Sequence, residues 1–170
     1  LTDDFDIFID AVDPLWGEIG QWAESEGHVQ VSVVDAVDAA RGQVIDGRFT
    51  QDGPNGLFFI QTPPGTVHDL SAFANGYLVF DIQVLDYGNA NGLVVKADCV
   101  NPCSSGDIPI GKVADGEWQT VVVSVADSMA GLDLQRVDTP FAIMPSWGEQ
   151  TGGIHLQVDN VRWVLNDPRI

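Results

Sequence analysis

Basic residues are scarce in this chain: two Lys and five Arg stand against 25 Asp and Glu, giving a formal net charge of −18 over 170 residues. Nucleic-acid binders carry a basic footprint, and membrane-surface proteins set basic residues against anionic lipid, so neither class fits. Long apolar runs are missing too, and none approaches the ~20 residues that a spanning helix needs. Glu numbers only five, so with Lys so rare the usual fillers of exposed helices are nearly absent. Charged residues make up 19% and mean hydropathy is +0.07, which argues against a disordered chain.

What is abundant points one way. Asp reaches 20 and Val 22, with 18 Gly and 9 Pro. Asp favours turns and caps, Val favours strands, and Gly and Pro punctuate them. This is an all-β composition. The length is that of one domain, and 45% apolar content fills a real core. An acid-rich surface keeps the chain soluble by self-repulsion and suits a neutral polymer such as a polysaccharide better than an anionic one. The sequence starts at Leu1 without a signal-peptide pattern, which reads as a mature protein or a fragment.

Residues 1–27 differ from the rest. Phe5, Ile7 and Ile9 alternate in an acidic stretch, and after Pro14 the residues Leu15, Ile19, Trp22 and Ala23 fall at helical spacing. This segment reads as a linker or docking arm with a helical turn or two. Residues 28–170 read as a β-sandwich of jelly-roll form, with eight or nine strands. The longest runs Tyr77-Leu-Val-Phe-Asp-Ile-Gln-Val-Leu85, and the last spans Ile154 to Leu165.

Catalytic chemistry finds little support. Glycoside hydrolysis needs two facing carboxylates, but so many Asp make chance pairs such as Asp35 and Asp38 uninformative. His28, His68 and His155 are scattered, and no nucleophile elbow or phosphate-binding fingerprint occurs. Cys99 and Cys103 are spaced for neither a thioredoxin-type motif nor a zinc site; a short structural disulfide around a Pro loop, formed in an oxidising compartment, is the reading.

Carbohydrate binding needs less: aromatic rings that stack on sugar faces and a few polar side chains. Of the five Trp, Trp118 and Trp163 sit in apolar strand patterns and read as core, while Trp16 and Trp22 read as anchors of the arm. Trp147, in the polar loop Pro145–Gly153, is the preferred sugar contact, and Tyr87, in the turn Asp86–Gly92, the second. Asp159 stands inside an apolar strand, where an unpaired carboxylate is costly. It pairs with Arg41 or Arg162, points outward, or holds a structural calcium ion.

Several phrases taken in order carry a resemblance. Asp69-Leu-Ser-Ala-Phe-Ala-Asn-Gly-Tyr-Leu-Val-Phe-Asp81 is similar to a turn and strand of galactose-binding-like carbohydrate modules. Cys99-Val-Asn-Pro-Cys103, Gly116-Glu-Trp118, Thr139-Pro-Phe141 and Asp159-Asn-Val-Arg162 together resemble the ExoP-type C-terminal domain of bacterial family 3 exo-β-glucanases. The resemblance covers about residues 28–165. It implies a non-catalytic β-sandwich appended to a secreted or periplasmic enzyme, associated with β-glucan and with the catalytic domains of the same polypeptide. It carries over the Cys pair as a structural disulfide, Asp159 as an ion ligand, and no catalytic residue.

Overall fold

The computed structural model describes residues 4–50, 55–113, 116–147 and 153–170. Among them, strands β1 (Asp4–Ile9), β2 (Ala11–Val12), β3 (Glu18–Ala23), β4 (Val29–Asp35), β5 (Gln43–Phe49) and β6 (Gly56–Gln61) form the first half. Strands β7 (Tyr77–Asp86), β8 (Leu93–Cys99), β9 (Ile108–Gly111), β10 (Gln119–Ser124), β11 (Val137–Pro145) and β12 (His155–Val164) form the second. Helix is confined to single turns, the α-helical one being α1 (Val125–Ser128). No described helix is long and apolar enough to cross a membrane. The expected all-β sandwich is the fold.

Two antiparallel sheets face each other. The five-stranded sheet runs β3-β6-β11-β8-β9. In the seven-stranded sheet, β10-β7-β12 form one side. The other side of β12 is shared: residues 155–158 pair with β5, which carries β4, and residues 161–164 pair with β1. Between the sheets lies a core containing Phe8, Phe58, Phe80, Phe141 and Trp163, each fully buried. Burying an aromatic or large aliphatic side chain contributes about 2–3 kcal/mol. The Trp163 indole crosses the sandwich and donates from Nε1 to the Pro140 carbonyl at 3.1 Å, so its one polar atom is satisfied.

The leading segment contributes a strand to each sheet. Strand β1 completes the seven-stranded sheet, burying Ile7 and Phe8 completely, and β3 forms the edge of the other sheet with all six residues in register with β6. The alternation of Phe5, Ile7 and Ile9 is therefore a strand signal, broken by an irregularity between Asp6 and Phe8 that turns both Ile7 and Phe8 inward. The helical reading after Pro14 fails because Ile19 and Ala23 face the core whereas Trp22 points away from it. A pattern as short as that from Leu15 to Ala23 cannot separate the two periods.

Cys99, at the end of β8, and Cys103 form the expected disulfide, with Cα atoms 4.9 Å apart across a loop that contains a cis Asn101–Pro102 bond. Closing so short a loop contributes only about 2 kcal/mol through the entropy of the unfolded chain. Replacing both cysteines by Ser is expected to lower stability by that amount in urea titrations and leave the fold intact.

Candidate functional site

Antiparallel sheets with one face in water alternate apolar and polar residues. The central strands of the five-stranded sheet do not. Leu57-Phe-Phe-Ile60, Phe141-Ala-Ile-Met144 and Leu93-Val-Val95 are apolar without interruption. Their inward residues join the core. Their outward residues Leu57, Val94, Ala142 and Met144 form a second apolar cluster that is itself buried, with the half-buried Phe59 packed against it. Register places Trp22 beside Leu57, Met144 beside Val94, and Val94 beside Pro109. Phe59 lies between Gly20 and Ala142. Its ring covers Gly20 so closely that a Cβ there would come within 2.6 Å of the ring.

Two indoles stand at one end of this face. Trp22 is 50% exposed and Trp147 43% exposed, with ring centroids 6.4 Å apart and planes at 68°. Trp147 Nε1 donates to Asp107 Oδ2 at 3.0 Å. Toward the other end, Lys96 and Asp98 pair at 3.2 Å. They line a cleft of about 250 Å³ with Asn101, Ser104 and Thr139. Exposed rings and placed polar groups are the two elements by which proteins recognise a sugar chain.

The structure separates the other aromatic candidates from this face. Tyr87 is 5% exposed; its hydroxyl donates to the Val113 carbonyl at 3.0 Å and accepts from the Val113 N–H at 2.6 Å. With the Lys112 ammonium over its ring, it fastens a loop and has no face free for stacking. Trp16 is buried against Phe5 and His68, as an anchor should be, but Trp22 is not an anchor. Trp118 is half-buried rather than core, and it stacks under the Arg41 guanidinium at 4.0 Å. Its position differs from that of Val121 and Val123 by an odd number of residues, which puts it on the opposite side of the strand. Residues 148–152 of the loop that carries Trp147 lie outside the described residues.

A family model for Exop_C, described as galactose-binding domain-like, matches residues 18–163. This chain belongs to the Exop_C family. The match begins at β3, ahead of the boundary drawn at residue 28 from sequence. No curated protein matches the sequence. Among solved structures, the family 30 carbohydrate-binding module of cellulosomal cellulase Cel9D-Cel44B of Clostridium thermocellum is 19% identical, with a TM-score of 0.67 over 96% of this chain and 98% of that one. The family 11 module from the same organism, solved with a β-1,3-1,4-mixed-linked tetrasaccharide, is 17% identical, with a TM-score of 0.60 over 95% of each chain. The extra C-terminal domain of exo-1,3/1,4-β-glucanase ExoP from a Pseudoalteromonas species is 12% identical, with a TM-score of 0.69 over 95% of this chain and 92% of that one. The Exop_C fold is thus shared with carbohydrate-binding modules and with the extra C-terminal domain of a glucanase.

On the outer face of the seven-stranded sheet in this Exop_C domain lies a polar network. Arg41 Nη1 bridges Asp81 at 3.0 Å and Asp159 at 3.3 Å, so Arg41 rather than Arg162 is the partner of Asp159. Asp81 also accepts from Thr120 and Asn160, and Asp159 accepts from the Asn160 N–H. Burial pushes Asp159 above the usual carboxylate range, and its hydrogen bonds do not offset it. Burial acts likewise on Asp81, but bonds from Asn160, Arg41 and Thr120 outweigh it and hold that carboxyl low. A calcium ion needs six to eight oxygens. Here a guanidinium occupies the space between the two carboxylates, and among the described residues no group of three or more His, Cys, Asp or Glu could hold a metal. The side chains present do not fit calcium at Asp159.

Proposed function

We propose that this domain binds β-glucan weakly through the outer face of its five-stranded sheet, with Trp147, Trp22 and Phe59 as the stacking surface. The observation that carries the reading is the outer face of the five-stranded sheet, which is apolar across three adjacent strands and ends in two exposed indoles. The cluster itself is buried, and the aromatic rings left exposed beside it are the kind of surface on which a sugar face stacks. The neighbour solved with a mixed-linked tetrasaccharide has the same fold. The disulfide fits a secreted or periplasmic location, and the likeness to the ExoP extra domain fits attachment to a family 3 glucanase.

Titration with laminarin and mixed-linkage glucan, by calorimetry or affinity electrophoresis, tests this. Trp147→Ala and Trp22→Ala are each expected to weaken binding about tenfold, the usual effect of removing a central aromatic anchor. Unchanged affinity in both variants excludes this face as the site. The alternative role, bracing the catalytic domains of the same polypeptide, predicts no glucan binding and burial of the same indoles in the full-length enzyme.

A further inference from the structure

The two exposed indoles do not form a floor. Their planes meet at 68° with centroids 6.4 Å apart, so together they make a corner. Trp22 belongs to the edge strand β3, and Asp107 leads into β9 at the opposite edge. Trp147 touches both, its ring against Trp22 and its Nε1 on the Asp107 carboxylate. A charge-assisted hydrogen bond of 3.0 Å is among the stronger side-chain contacts, and here it fixes the direction of a half-exposed ring.

We propose that Asp107 is a positioning residue that holds Trp147 crosswise to Trp22, and that the corner so formed selects bent glucan chains over flat ones. This rests on the reading of this face as a glucan site. A β-1,4 chain is a flat ribbon whose rings stack on coplanar aromatics. A β-1,3 linkage turns the chain, so that one sugar faces one wall of the corner while its neighbour meets the other. Aromatic rings held rigidly give such selectivity because little rotamer freedom is lost on binding. The rest of the rim agrees with an uncharged ligand. The five strands of this sheet carry one basic residue, Lys96, which is already paired with Asp98.

The test measures affinity for mixed-linkage glucan oligosaccharides and for cellohexaose, with wild type, Asp107→Ala and Asp107→Asn. Wild type is expected to prefer the mixed-linkage ligand at least about tenfold, the worth of one well-made recognition contact. Asp107→Ala is expected to lose that preference while still unfolding in one cooperative transition. Asp107→Asn keeps an acceptor for the indole N–H and is expected to retain the preference. Intrinsic tryptophan emission should shift in Asp107→Ala but not in Asp107→Asn. Equal affinity of wild type for both ligands overturns the corner while leaving the glucan site standing. An Asp107→Ala protein that discriminates like wild type overturns the role of Asp107. Absence of binding to any glucan removes the site itself, and this inference with it.

Discussion

A chain shortened to begin at His28 is expected not to fold. The deletion removes β1, β2 and β3, and with them the buried side chains of Ile7, Phe8 and Trp16. At about 2–3 kcal/mol for each, their burial alone is comparable to the whole stability of a typical domain, ~5–15 kcal/mol. The deletion also leaves residues 161–164 of β12 without a partner on one side and uncovers the edge of β6. Exposed, apolar strand edges promote aggregation. Circular dichroism and size-exclusion chromatography of the shortened chain should show lost sheet signal or soluble aggregates. A cooperative unfolding transition at the wild-type midpoint would instead restore the segment to a dispensable arm.

Arg41→Met should be the most damaging single substitution on the outer faces. It keeps the bulk over Trp118 but leaves Asp81 and Asp159 facing each other without a cation. The side chains of Asp159 and Asp81 are 2% and 13% exposed, so water screens them poorly. Breaking a buried pair by removing one partner costs about 3–5 kcal/mol, because a charge is left uncompensated. The loss should depend on pH. Asp159 has a raised value in the folded protein, so its unfavourable effect is relieved as pH falls through that value. Asp81 has a lowered value, so its favourable effect, present above the unfolded carboxylate range, is lost as pH falls through the folded one. Without Arg41, burial pushes both carboxyls up, and protonation then relieves the variant. The stability gap between wild type and variant, read from urea titrations, should be widest near neutrality and narrow toward ~pH 4. A gap that stays constant over that range would mean that lost packing, not charge, is responsible.

How far the sequence disclosed this depends on the physics of each element. The sandwich is legible because its strands are rich in Val and aromatic residues and are bounded by Gly, Pro and Asn. The spacing of Trp163 from Val161 places it in the core, where it lies. The disulfide follows from spacing and composition. The first 23 residues mislead because short alternating and helical patterns overlap there, and only pairing with β12 and β6 decides between them. Tyr87 misleads because a turn residue can still be buried when its hydroxyl meets a backbone carbonyl and N–H. Trp147 is exposed at the edge of the apolar face, as its polar loop suggests. Trp22 and Phe59 escape a reading residue by residue, although the uninterrupted apolar runs in β6, β8 and β11 signal a sheet that is apolar on both sides.

The relation between Gly20 and Phe59 has a consequence for altering this domain. The ring rests where the glycine leaves space, so the height of the floor is set from underneath, by an atom that is missing. Any larger residue at that place lifts or tips the ring and changes the relief of the face. The contour offered to a polymer can therefore be graded by substitutions that never touch the polymer themselves.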